Sequence, residues 1–212
     1  MSFFVPFAPF CGYPFKFLEF DMANMKLILA SASARRRKIL LDLGVDFELM
    51  IPDVEEVLHD SDAIRTAREN AALKHEWCRR QRPDRPILAA DTVIDFEGRC
   101  IGKACSREEA VSFLKMFSGK THIVYTAVAL SAPCSSAGIL LVESSVRFRK
   151  LTDLEINDYF AKVNPMDRAG AYDIDELGES LIDSYSGSRT NIMGLPAEDV
   201  SEWLKKEGLL PS

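Results

Sequence analysis

Apolar and polar positions alternate along this chain in blocks that predict a mixed α/β fold. Leu27-Ile28-Leu29-Ala30 is a short apolar run bounded by small polar residues, the pattern of a buried strand. Ile39, Leu40, Leu41 and Leu43 then give the apolar face of a short helix closed by Gly44. Residues 45–51 alternate as a half-buried strand. Residues 62–82 form a long polar helix with Ala63, Ala67, Ala71 and Trp77 turned to the core, ended by Pro83 and Pro86. Ile87 to Asp95 is a strand that is apolar nearly throughout. Ser106-Arg107-Glu108-Glu109 opens a helix through Phe117. Residues 121–130 and 139–149 read as two long strands joined by a wide hairpin, and Thr152-Asp153-Leu154-Glu155 caps another helix packed by Ile156, Tyr159 and Phe160. A short strand at 181–183, a loop at 187–191 and a last helix with Pro196 in its first turn complete the chain.

Residues 1–24 differ from all this. Seven phenylalanines, from Phe3 to Phe20, are interrupted by Pro6, Pro9 and Pro14, so no stable helix or strand is expected there. The stretch lacks a basic leader and an unbroken apolar run, and it is too short and broken to span a membrane. Two readings stand: an aromatic arm that docks on the domain or a partner, or a disordered extension upstream of a start at Met22 or Met25, with the second preferred. Residues 25–212 are then one domain.

A net charge of −6 argues against a protein whose affinity rests on duplex phosphates. No basic stripe interleaves the aromatics, so single-stranded nucleic acid has little support either. The five cysteines form neither a disulfide ladder nor a zinc pattern, which points to a reduced, cytoplasmic protein. Cys100 and Cys105 read as an inert pair before a metal or redox site.

Chemistry concentrates in a few places. Ser31 and Ser33 lie between the first strand and a helix whose start carries Arg35, Arg36, Arg37 and Lys38. Ser33 is the natural N-cap, and free N–H groups there favour an anion. Cations in a first turn oppose the helix dipole by about 0.3–1 kcal/mol each, so they make sense if a multiply negative ligand neutralises them; a solvated basic face is the alternative. Asp53, Glu55 and Glu56 follow a strand end, where cation ligands and ordinary surface acids both occur. Asp91 interrupts an apolar strand and must be paired, protonated or cation-bound, because an isolated buried carboxylate is very costly. Gly102-Lys103 offers close backbone approach and a point charge, without the long phosphate-loop signature.

Taken in order and spacing, Ser31-Ala32-Ser33-Ala34-Arg35-Arg36, Ala90-Asp91-Thr92, Gly102-Lys103, Ser118 to His122, Asp167 to Tyr172 and Met193-Gly194-Leu195-Pro196 resemble the Maf family of nucleoside triphosphate pyrophosphatases. The resemblance covers the chain from Lys26 to the last helix. It implies an ITPase-like fold, an elongated mixed sheet flanked by helices with a cleft between two lobes, in a homodimer. It implies hydrolysis between the α and β phosphates with Mg2+ or Mn2+, and a link to septum formation and division arrest. By motif position Ser31, Arg36, Lys74 and Lys103 would face phosphate, the register of Lys74 being the loosest. Ser33 and the helix start would add to that anion site. Glu56 and Asp91 would be the acidic catalytic residues and the cation ligands, with Asp91 as proton acceptor; whether Asp91 takes the proton, the cation or both stays open.

The branch resembling dTTP and UTP pyrophosphatases carries Arg and Thr where Arg35 and Thr92 stand, and Gln where this chain has Asp175. The branch acting on 7-methylguanosine triphosphate fits at none of the three. A Gln amide both donates and accepts, whereas an ionised Asp only accepts. Asp175 is therefore expected to relax the choice of base towards cytosine or guanine, unless Asp173 or Glu176 takes its place. A nucleotide-binding regulator of the division machinery, without turnover, is the competing function.

Overall fold

The computed structural model describes residues 5–6, 22, 25–133 and 135–210. An eight-stranded mixed sheet carries the fold, in the order β1-β7-β6-β4-β2-β3, with β5 on β4 and β8 on β7. Strands β2 (Leu27–Ala30), β3 (Phe47–Leu49) and β4 (Ile87–Phe96) run parallel. The long strands β4, β6 (Thr121–Ser131) and β7 (Gly138–Phe148) form an antiparallel meander, extended by the shorter β5 (Arg99–Ile101) and β8 (Ile182–Ser186). The alternation of helices and strands is the one the patterning predicts, and the mixed sheet is the one the family resemblance implies.

Three apolar clusters hold helices on the sheet. On one face, Ile28, Ala30, Ile87, Ala89 and Val93 meet Ala63, Ala67, Ala71 and Cys78 of α2 (Ala63–Gln81). On the other, Leu27, Leu29, Leu88 and Ala90 pack with Ile39 and Leu40 of α1 (Ala34–Asp42) and with Val200 and Leu204 of α6 (Ala197–Lys206). Farther along the meander, Ile94, Phe96, Val124, Val146 and Phe148 enclose Leu114 and Phe117 of α3 (Arg107–Phe117) and Ile156, Tyr159 and Phe160 of α4 (Asp153–Phe160). Gly170, at φ +67°, lets backbone lie directly on Ile94 and Phe117 of this third core, where any Cβ would collide.

Several elements differ from expectation, each for a local reason. The strand expected over 45–51 pairs only at 47–49, because it is an edge whose single neighbour, β2, is four residues long. Leu41 is 65% exposed, since the α1 surface that meets the sheet is covered by Ile39 and Leu40 alone. The loop expected at 187–191 contains the start of α5 (Arg189–Met193), capped by Ser188 and stopped by Gly194 at φ +109°. Five residues are too few to show a helical period. Pro196 sits at the N-cap of α6, one position before its first turn. The N-terminal extension expected over residues 1–24 lies outside the described residues except at 22 and 5–6; contrary to expectation, the backbone of β1 (Val5–Pro6) pairs with Gly138 and Ile139 at the open edge of β7.

Candidate active site

β2 ends where its ladder with β4 ends, at Ala30 opposite Ala89, whereas β4 runs on to Phe96. A cleft therefore opens beyond the carboxyl end of β2, the usual ligand position in a sheet with parallel strands. Its floor is Asp91 and Thr92. Successive strand residues face opposite sides, so Asp91 shares the α2 face with Ala89 and Val93, while Thr92 shares the other face with Ala90 and Ile94. Two adjacent residues thus serve two different walls.

On the α2 wall, Lys74 stands one turn after Asn70 on the buried side of the helix. Its Nζ donates to Asp91 Oδ1 at 2.6 Å and lies 2.8 Å from Glu56 Oε1. Asn70 donates from Nδ2 to Asp91 Oδ2 at 3.3 Å and exchanges two hydrogen bonds with the backbone of Val57, fixing the segment that carries Glu56. Burial pushes the Asp91 carboxyl above the usual carboxylate range, although Lys74 and Arg36 oppose it. At the more exposed Glu56 burial acts the same way, but the hydrogen bond and charge of Lys74, with Lys103 and Arg36 behind them, hold it below that range. Two carboxylates pushed in opposite directions are a common arrangement for dividing acid and base tasks.

On the other wall, Ser33 caps α1 by accepting from the Arg36 N–H, and its own N–H donates to Ser31 Oγ at 3.2 Å. The Arg36 guanidinium donates to Gly194 O at 2.8 Å, Thr92 Oγ1 at 3.0 Å and Ser31 Oγ at 3.2 Å. Of its five N–H donors, two remain for a ligand. Thr92 in turn meets Thr126 Oγ1 at 3.0 Å, which donates to the Asn191 carbonyl. Thr92 thus anchors Arg36 to the sheet. Lys103, just past β5, pairs with Asp167 at 3.3 Å across the cleft mouth. Arg35 donates to Asp173 Oδ2 at 3.1 Å and to the Asp167 carbonyl at 3.0 Å.

The cleft encloses about 270 Å³ and brings together Ser31, Ser33, Arg35, Arg36, Glu56, Lys74, Asp91, Thr92 and Lys103. Asp175 is the exception. Its N–H donates to Asp173 Oδ1 at 2.8 Å, and its carboxylate turns out to Arg189 at 2.7 Å and Lys38 at 3.7 Å. Asp173 lines the cleft and Asp175 does not, so of the positions weighed for that contact it is the alternative, Asp173, that reaches the cleft wall. Asn70 and Arg168 were not singled out by sequence for any task. Of these, Asn70 left a signal, a polar residue on the alanine face of α2 at helical spacing from Lys74.

Among the described residues no three His, Cys, Asp or Glu side chains are grouped to hold a metal, and no helix is long and apolar enough to cross a membrane. The site is thus a small, strongly charged cleft with cations on both walls and a buried carboxylate on its floor.

Relatives carry the same stretch of chain. A dTTP/UTP pyrophosphatase of Akkermansia muciniphila is 40% identical over 183 residues, which is 86% of this chain and 96% of that protein. A protein of Haemophilus ducreyi named nucleoside triphosphate pyrophosphatase is 39% identical over 201 residues, 89% of this chain and all of that one. Among solved structures, the Ham1 protein of Staphylococcus aureus aligns with a TM-score of 0.47 at 14% identity, over 86% of this chain and 99% of that chain. The sequence profile of the Maf-like proteins matches residues 26–207, nearly the whole of the described domain. On that match and those identities, the chain belongs to the Maf-like protein family.

Proposed function

We propose that this protein hydrolyses nucleoside triphosphates between the α and β phosphates, releasing a nucleoside monophosphate and pyrophosphate, with pyrimidine substrates preferred. The observation that carries the reading is the pairing of Lys74 with Asp91 and Glu56 opposite the arginine-bearing start of α1. A pure binding site for a triphosphate gains from a buried carboxylate only through a bound cation, since the bare carboxylate repels the ligand. A hydrolase needs one, because the attacking water must give up a proton.

The remaining groups supply position and charge, which dominate phosphoryl chemistry. Arg36, Lys74 and Lys103, with Ser31, Ser33 and the helix start, offer donors and positive charge to the phosphates. The burial that raises Asp91 brings its proton affinity nearer to working pH, which suits a general base. Asn70 and Lys74 aim that carboxylate into the cleft.

The donor set also suits a divalent cation. Asp91 and Glu56 converge on one ammonium at 2.6 and 2.8 Å, so their oxygens lie within reach of a common cation. They are hard oxygen ligands of the kind that bind Mg2+ or Mn2+ through one or two carboxylates, completed by water and phosphate. Once bound, such a cation would offset phosphate charge and polarise the phosphorus centre. Accordingly, pyrophosphate release from UTP or dTTP is expected to vanish in excess EDTA and to return with added Mg2+ or Mn2+. Full release in the chelator would remove the cation from the account and leave the protein side chains to neutralise the substrate. A homodimer in the cytoplasm completes the reading, on the family resemblance and the cysteine usage.

A further inference from the structure

Lys74 is 9% exposed, and its ammonium lies between the two acidic groups proposed for catalysis. Nζ donates to Asp91 Oδ1 at 2.6 Å and stands 2.8 Å from Glu56 Oε1. Two of its three donors are thereby directed at carboxylates. Arg36 is placed differently, on one carbonyl and two hydroxyls, which leaves its charge free for an anion. Lys74 can give its charge to a phosphate only after it lets go of the carboxylates.

The surrounding frame does not depend on that ammonium. Asn70 donates to the far oxygen of Asp91, Oδ2, at 3.3 Å. The same amide exchanges hydrogen bonds of 2.8 and 3.0 Å with the backbone of Val57, the residue after Glu56. Asp91 itself is fixed in β4 opposite Ala127. The backbone behind each carboxylate therefore stays in place when the ammonium leaves. Two carboxylates across one gap repel each other unless a cation fills it. A lysine fills it with a single compact charge on a flexible four-carbon stem, so the charge can move while α2 stays still. A divalent cation needs the same oxygens, and it would repel an ammonium left between them.

We propose that the Lys74 ammonium is an internal stand-in for the divalent cation: it bridges Asp91 and Glu56 in the protein without substrate and keeps the cation out until a triphosphate draws it away. Cation and nucleotide then enter as a pair. The phosphates give Lys74 a replacement for its carboxylates, and the cation gives the carboxylates a replacement for Lys74. Either exchange alone leaves like charges facing each other, carboxylates without a counter-charge in one case and Lys74 beside Arg36 and Lys103 in the other. The assignment deepens the proposed pyrophosphatase reading and rests on it for the triphosphate.

Mn2+ binding without nucleotide tests the exclusion apart from turnover. Electron paramagnetic resonance of free Mn2+ is expected to show at least tenfold tighter binding by Lys74→Gln than by the native protein. Lys103→Gln removes an equal charge that is paired with Asp167 at the cleft mouth, and it should change the affinity less than threefold. A folded Lys74→Gln protein that binds Mn2+ no tighter than the Lys103→Gln protein overturns the assignment, because the gain would then be charge removal alone. Where Lys74→Gln does not fold by itself, Mn2+ should restore a cooperative urea transition whose midpoint rises with Mn2+ concentration. Failure of Mn2+ to restore it also overturns the assignment. Tight Mn2+ binding by the variant, beside a native protein that releases no pyrophosphate, would support the stand-in while contradicting the proposed reaction.

Discussion

Asp91→Asn should lower the rate of pyrophosphate release by about 10²- to 10⁴-fold, the usual contribution of a positioned general base. The substitution changes one atom in a place where shape is tightly held. Asp91 sits in β4 opposite Ala127, with Ala89 and Val93 on the same face, so an amide of equal size keeps the packing. Lys74 does not lose its counter-charge, because Glu56 remains 2.8 Å away. The fold should therefore survive, and the loss should fall on kcat more than on KM, since Arg36 and the α1 start still bind phosphate. The pH profile gives a second check. The native rate depends on an ionised Asp91, so kcat should fall as pH drops through a pKa above the ordinary carboxylate value, the direction in which burial drives it. An Asp91→Asn protein that retains native turnover would assign the proton to another group.

Lys74→Met has the second large effect, and it acts on stability as well as rate. Removing the ammonium leaves Asp91, 6% exposed, with the Asn70 amide as its hydrogen-bond partner, the charge of Arg36 beyond it, and Glu56 as a like-charged neighbour. Breaking a buried ion pair from one side costs about 3–5 kcal/mol. The sign of its pH dependence follows from linkage. Without Lys74 the Asp91 pKa in the folded protein rises further above its unfolded value, so the folded state holds a proton that the unfolded state has released. Stability of the variant should then fall as pH rises, with the deficit larger at pH 7.5 than at pH 5. Urea unfolding at the two values measures it. A deficit that grows towards acid instead would mean that the pair is not the main contribution of Lys74. Pyrophosphate release should drop at least 10²-fold in parallel, through the lost phosphate charge and the misplaced base.

The sequence exposed the half of the cleft around Asp91 and the α1 start more fully than the other half. Asp91 stood out because a carboxylate in an otherwise apolar strand demands a partner, and Lys74 and Asn70 on the alanine face of α2 answer that demand. Ser33 announced itself by capping chemistry, which depends only on neighbours three residues away. The half around Asp173 depends on chain direction after Gly170, where a glycine at φ +67° and Ala171 at φ +63° turn the backbone. One residue separates Asp173 from Asp175, and in an extended segment they would share a side. Here the Asp173 carboxylate accepts the Asp175 N–H, an Asx-type turn that sends the second carboxylate to Lys38 and Arg189. No periodicity encodes that turn. The same limit hid α5, whose five residues are defined by the Ser188 cap and the Gly194 stop. The paired end of β1 was missed because Pro6 argued against a strand; at an edge, with no ladder bond required of it, proline is tolerated.

The central claim is that this cleft cleaves the bond between the α and β phosphates. The most direct measurement is a complete product analysis after incubating the native protein with UTP and Mg2+, following phosphorus by NMR. The account predicts UMP and pyrophosphate in equal amounts, with no UDP and no orthophosphate at early times. UDP with orthophosphate would place the reaction at the terminal phosphate, and UTP bound tightly but returned intact would make the protein a nucleotide sensor; either result contradicts the account.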